Sequence, residues 1–429
     1  MSGPRVLFET SRALPLVSMT IAAHGGATND TPEREGLSRM TARLVRRTGA
    51  GLSTEALDER IDALGASLSV DVGHSAGTFH GAVIARSLDA FADLLVDVLG
   101  KPSLSPQELG KLRRETLAEL IDARDHDREL CQRWFRKKLF LGHPYARSTT
   151  GVQKSVQSID ESDIAARYRS MLAGNNLVFA FAGDIDGDQA LRVAERIASA
   201  MPKGELHRDA LPEPVLRQGR HLVIVDKPER TQTQILIGCL GTHPHDPDHV
   251  ALHVANTIFG GAFTARLMHE VRSKRGWSYG AYSNLPYDRH RRGFSMWTFP
   301  KASDAAACIS LELAMLEKWW SDGVTRKELA WAKRYLVRSH AFAIDTASKR
   351  VAQLLDEELY ALPPRYHADY VAHVQEVSVE QVNAAIRTRI TPKDVLLTVV
   401  GTASEIEGAV RDGIADLSSA ETVAFDSED

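Results

Sequence analysis

Residues 36–49 read GLSRMTARLVRRTG. On a helix, at about 100° per residue, Arg39, Arg43, Arg46 and Arg47 fall on one stripe and Leu37, Met40, Leu44 and Val45 on another. Arg39 and Arg43 stand at i and i+4, the spacing at which two helical histidines reach one zinc ion. Arginine cannot take over that task, because a guanidinium stays protonated and has no lone pair to give a metal. HPHDPDHVALH (243–253) has the same spacing in His249 and His253. There, Asp246 followed by Pro247 reads as the N-cap and first residue of a helix, which makes the histidines structural. His143 in GHPY is expected to be structural as well. Gly260 and Gly261 in TIFGGAF read as a flexible turn too short for a phosphate loop. Trp319 and Trp320 follow Leu316 at helical spacing and are assigned to core or interface.

The elements that must position such groups follow from bulk properties and internal repetition. At 429 residues, 43% hydrophobic and 25% charged, the chain is long enough for two or more globular domains. Its formal charge of -4 gives no electrostatic reason to propose nucleic acid or an anionic membrane as partner. Cys131, Cys239 and Cys308 are odd in number, widely spaced and set in apolar patterns, so they are expected to be buried thiols. No apolar run approaches the roughly 18 residues of a membrane span. The first residues show no charged segment followed by an apolar one, which places the chain in the cytoplasm if it is as translated, and in the periplasm if a signal peptide was removed.

Self-comparison shows a tandem duplication. SVQSIDESDIAARY (155–168) aligns without gaps to HVQEVSVEQVNAAI (373–386), and NNLVFAFAGD (175–184) to KDVLLTVVGT (393–402) at the same interval, through Gly183 and Gly401. SPQELGKLRRE (105–115) lines up with TRKELAWAKRY (325–335), and the pair at 139–140 with that at 359–360. The joint is expected in the Pro-bearing stretch 201–219, giving an N-terminal domain over 1–205 and a C-terminal domain over 213–429. GASLSVDVGHSAGTFHGAVI (65–84) and 276–300 alternate like hairpins, while 87–100 and 105–125 have helical periodicity, the latter opened by Ser105 and Pro106. Clustered strands with helices on one side predict an α+β fold: two homologous domains, each an antiparallel or mixed sheet packed with helices.

The strand pair, the helix from Gly36 to Gly49, GHPY at 142–145, AGD at 182–184 and NTIFGGAFTARLMHEVRSKRGWSYGAYS at 256–283 together resemble the pitrilysin-like zinc peptidases, the inverzincins named for an inverted HxxEH motif. The resemblance covers nearly the whole chain in order. It implies that each chain of this size is half of a peptidase clam-shell. In the family the first helix carries two zinc-binding histidines and a glutamate that activates water. Residue by residue, those positions fall on Arg39, Arg43 and Ala42, and the third ligand falls near Glu119. The resemblance therefore implies a degraded zinc site with no metal in this chain, in which Arg39 or Arg43 pairs with Glu119.

It also implies a retained feature. Active members place an arginine and, seven residues later, a tyrosine against the substrate backbone, and EVRSKRGWSYG matches with Arg272 and Tyr279. A cation and a phenol hydroxyl can both donate to a peptide carbonyl as it becomes an oxyanion. The expectation is a zinc-less subunit of a heterodimeric zinc endopeptidase, inactive alone, with zinc held by an HxxEH-bearing partner and an extended peptide as substrate. The alternatives are a catalytically inert structural or scaffold protein, which would not need Arg272 or Tyr279, and a peptide-binding homologue acting as a homodimer.

Overall fold

Leu177–Gly183 and Leu396–Gly401 are apolar at nearly every position, and both become central strands covered on two faces. Gly293–Thr298 alternates and buries one face only. The computed structural model of the chain describes residues 4–204 and 211–428. Residues 205–210 of the expected joint lie outside the described residues.

The first copy runs β1 (Arg5–Thr10), β2 (Leu16–His24), α1 (Leu37–Arg47), α2 (Thr54–Ala63), β3 (Ala66–Val72), β4 (Ala76–Ile84), α3 (Leu88–Gly100), α4 (Pro106–Asp122), α5 (Asp127–Leu139), α6 (Gln153–Ser158), α7 (Glu161–Met171), β5 (Leu177–Gly183) and α8 (Gly187–Ala200). The second runs β6 (Arg220–Asp226), β7 (Gln234–Leu240), α9 (His249–Asn256), α10 (Arg266–Met268), β8 (Ala281–Asn284), β9 (Gly293–Thr298), α11 (Ala305–Asp322), α12 (Arg326–Ala343), α13 (Ala347–Leu359), α14 (Tyr370–Glu376), α15 (Val379–Arg389), β10 (Leu396–Gly401), α16 (Ala403–Asp412) and β11 (Leu417–Ala424).

Among the described residues the first sheet has the order β1-β5-β2-β4-β3 and the second β11-β6-β10-β7-β9-β8. Without β11 the two orders are the same under the repeat. Both sheets are mixed, with β1 parallel to β5 and β6 parallel to β10, and the remaining pairs of the repeated five strands antiparallel. This is the tandem α+β architecture expected from the sequence.

Two compact units cut across the repeat. One gathers the described residues of 4–121 and 147–211 with Phe342–Ala361; the other gathers Asp122–Ala146, Pro212–Ala341 and the described residues of 362–428. Helix α13 thus belongs with the first sheet and α5 with the second. In the first unit, Phe79, Phe91, Phe179 and Phe181 fill the core on one sheet face. On the other face α13 lays Val351, Leu355 and Leu359 over Ala22, Ala180 and Ala182, whose small side chains let a helix approach closely. In the second unit α5 brings the bulkier Trp134, Phe135 and Leu139. Glycines make room for them: a Cβ on Gly238 would meet the Phe135 ring at 2.9 Å, and one on Gly293 would meet Leu139 at 2.6 Å. Size complementarity accounts for which helix covers which sheet.

Two local expectations are corrected. Gly260 and Gly261 do not form a loose turn; they end a π-helical segment, Thr257–Gly261, that continues α9. A Cβ on Gly260 would lie 2.6 Å from the Ser283 nitrogen, so glycine is required by close contact with β8. Helix α9 starts at His249, with Asp248 and not Asp246 at its N-cap. Asp246 is engaged instead by the His243 amide and by Arg291 and Arg389. Trp319 is buried and stacks on Phe259 at 4.4 Å, while Trp320 is 41% exposed. The three cysteines are buried and unbridged. Among the described residues no helix is long and apolar enough to cross a membrane.

Candidate functional site

Helix α1 opens at Gly36, whose φ of 89° is left-handed and suits glycine. The amide of its second residue, Ser38, is held from a distance. The Asp30 carboxylate accepts from the Ser38 amide at 3.0 Å and from the Ser38 hydroxyl at 2.5 Å. Arg167 then donates to Ser38 Oγ at 2.9 Å and to the carbonyls of Gly25 and Gly26. Burial raises the Asp30 carboxyl to about 6, against the opposing pull of Ser38 and Arg167. The start of the helix is therefore fixed by a buried polar network.

The basic stripe of α1 faces α4. Glu119 accepts from Arg39 at 3.0 Å and from two nitrogens of Arg43 at 2.7 and 3.1 Å. One turn on, Arg47 grips Glu115 with two bonds of 2.6 and 2.9 Å, and Arg46 pairs with Asp58 at 2.7 Å. Burial opposes ionisation of Glu119, but the hydrogen bonds from Arg43 and Arg39 outweigh it and hold the carboxyl below its ordinary range. Ala42 is fully buried in the apolar core. Arg39, Ala42, Arg43 and Glu119 are thus brought together, but as a closed ion-pair cluster. Its nitrogen groups are donors only, and the single carboxylate is already consumed by them, so this donor set does not fit a metal ion.

Arg272 sits in the π-helical turn His269–Ser273, and Tyr279 in the loop before β8. The loop is fixed by Gly276, with φ +66°, whose amide donates to the Arg272 carbonyl at 2.9 Å. It is fixed again by the buried Ser278 hydroxyl, which donates to Gly280 O at 2.6 Å and accepts from Phe299 N at 3.0 Å. The Arg272 guanidinium lies 4.3 Å from the Tyr279 ring centroid and 4.9 Å from that of Phe263. Those rings are 76% and 61% exposed. Glu270 is taken by Lys274 and Arg275, whose hydrogen bonds lower it to about 2. Among the described residues no carboxylate lies within ion-pair distance of Arg272. Phe263 was not singled out from sequence; the signal was an aromatic two residues after a tight glycine pair.

His249 and His253 do not converge on a ligand. His249 exchanges hydrogen bonds with Thr242 and Tyr366, and burial, followed by the nearness of His253 and His243, lowers it to about 3. His253 packs edge-on to Tyr370. His143 lies 2.9 Å from the Pro212 carbonyl within a cluster that includes Tyr145 and His290.

Residues 158–336 match the family described as Peptidase M16 inactive domain, and residues 5–159 the one described as Insulinase (Peptidase family M16). The crystal structure of a peptidase M16 inactive domain from Pseudomonas fluorescens superimposes with a TM-score of 0.86 at 27% identity, covering 93% of this chain and 96% of that one. The non-peptidase homolog YmxG of Helicobacter pylori is 21% identical over 92% of this chain and 91% of its own length. An uncharacterized zinc protease of Mycobacterium tuberculosis is 25% identical over 90% of this chain and 88% of its own.

Proposed function

Because the chain belongs to the M16 peptidase family, among its inactive pitrilysin-like members, we propose that it is the zinc-less half of a heterodimeric zinc endopeptidase. The observation that carries this reading is the contrast in its arginines. Those at the metal-ligand positions of α1 are closed off by carboxylates, whereas Arg272, among the described residues, has no carboxylate partner and lies over the exposed rings of Phe263 and Tyr279. Zinc and the attacking water belong to an HxxEH-bearing partner. This chain supplies donors: the in-plane N–H groups of Arg272 and the hydroxyl of Tyr279 bind the carbonyl oxygen of an extended peptide and favour the charge that develops on it. Phe263 and Tyr279 keep the guanidinium plane from rotating, so that the donors are oriented before substrate arrives.

Co-purification with an HxxEH-bearing homologue tests this, with zinc content and peptide cleavage measured for each chain alone and for the mixture. Zinc that follows the partner, and cleavage seen only in the mixture, are the expected results. Stoichiometric zinc on this chain alone, or cleavage by the partner undiminished without it, would overturn the reading. The Helicobacter relative's description as a non-peptidase favours a second reading, an inert peptide-binding or scaffold homologue. That reading is selected if Arg272→Ala leaves the activity of the complex unchanged.

A further inference from the structure

The two sheets come from one repeat, yet their outer edges differ. In the second sheet β11 runs parallel along β6, from Leu417 beside Arg220, across a one-residue register shift, to an unbroken run from Ser419 beside His221 to Ala424 beside Asp226, and β6 is buried up to its last residue. In the first sheet, among the described residues, no strand pairs with the outer edge of β1, and Arg5, Phe8 and Thr10 are exposed. An edge of this kind presents unpaired N–H and C=O groups, a template for another strand. The chain beyond α8 turns elsewhere: the Pro202 carbonyl accepts from Gly174 N at 3.0 Å, and Gly204 backs onto Ala173.

The side chains at this edge define what fits. Through the strand registers Phe8 corresponds to Ile224, and by its place in the helix Leu191 on α8 corresponds to Glu407 on α16. Ile224 lies beside Thr422 of β11, whose hydroxyl bonds Glu407 at 3.2 Å. In the first unit that polar pairing is replaced by exposed apolar groups: Phe8, lying against Gly187 at the start of α8 and 47% exposed, and Leu191, 42% exposed. At one end of the edge stands the exposed side chain of Arg5 and beyond the other that of Arg12, with loose carboxylate contacts of 3.4 and 3.9 Å.

We infer that the outer edge of β1 is a docking site for an extended segment of a partner protein, added parallel to β1, with an apolar side chain over Phe8 and Leu191 and carboxylates toward Arg5 and Arg12. Main-chain hydrogen bonds supply the attachment, and the apolar and acidic positions supply the selectivity. Nothing in this docking site depends on the peptidase reading.

Amide hydrogen exchange on the full chain tests it with three synthetic probes patterned on β11: DSSAELVD, its threonine counterpart DSSAETVD, and DSSAELVD with its ladder amides N-methylated. The leucine probe is expected to slow exchange in residues 5–10 and to bind about tenfold more tightly than the threonine probe. The N-methylated probe is expected not to bind. Leu191→Glu should reverse the preference toward threonine. The inference is overturned if the β1 amides of the free chain are already as protected as those of β6, which would mean the chain covers this edge itself. It is also overturned if the three probes bind alike or if none changes exchange in β1.

Discussion

The arginines of α1 and Arg272 are one side-chain type in opposite circumstances. Arg39, Arg43 and Arg47 spend their in-plane donors on Glu119 and Glu115 at 2.6–3.1 Å. Arg272 lies over the rings of Phe263 and Tyr279 at 4.9 and 4.3 Å and, among the described residues, has no carboxylate partner, and a cation–π contact does not use up a guanidinium's N–H donors. The same opposition recurs among carboxyls. Glu119 is partly exposed and gripped by two cations, whereas Glu312 on α11 is fully buried with one hydrogen bond of 3.3 Å from Thr298 and, among the described residues, no partner for its other oxygen. A charged group saturated by opposite charge holds structure together. One left open is either solvated at a surface, where it can meet a ligand, or buried, where it must change protonation.

If the comparison is right, Arg272→Ala in a complex with the HxxEH partner lowers kcat by about 10²–10³, roughly 3–4 kcal/mol of transition-state stabilisation, while Arg39→Ala leaves steady-state kinetics alone. Equal losses for the two would break it. The next effect is on stability. Burial, only partly offset by Thr298, raises Glu312 from 4.5 to about 8. The unfolded chain then loses this proton at a lower pH than the folded one, so stability is greatest below the unfolded value and falls as pH rises toward the folded one. Between pH 5 and 7.5 the loss should be about 3 kcal/mol. Urea denaturation of Glu312→Gln should lack that decline.

Glu119 sharpens the comparison with the opposite sign. Its folded value is depressed, so its contribution is present above the unfolded value and is lost as pH falls through the folded one. Glu119→Gln should cost about 1 kcal/mol at neutral pH in a denaturant titration, the modest figure suiting a half-exposed ion pair, and should flatten the acid side of the stability curve. Phe263→Ala should have the smallest effect, a loss of about threefold to fivefold in kcat with KM little changed, as loosening of a stacked guanidinium would produce. Phe263→Tyr should restore the rate; failure to do so would remove the ring from the account.

Repetition made most of the fold legible, because the run from 155 to 184 and its partner from 373 to 402 keep one register, and equivalent strands then follow. The exchange of α5 and α13 was not legible. Both have apolar stripes, and a stripe states that a helix is covered without stating by which sheet; that choice lay in Ala22 and Ala180 against Gly238 and Gly293, on strands remote in sequence. Strand β11, LSSAETVA, is too polar to announce itself, since an edge strand buries little. Asp246 and Pro247 imitated a helix start because capping chemistry and ion pairing use the same carboxylate. At the site, Arg39, Ala42, Arg43 and Glu119 could be placed from helical spacing and family register. The enclosure of Arg272 by Phe263 depends on a π-helical turn that no simple periodicity encodes.

The placement of α13 sets a schedule for synthesis. The strands of the first sheet are complete once Gly183 has been made, yet the helix that covers Ala22, Ala180 and Ala182 ends at Leu359. At ribosomal speeds the gap between those two residues lasts about 10–35 s. During that interval one face of a finished sheet waits for a helix from the far half of the message, so the nascent chain must be shielded from its neighbours before it can shield itself.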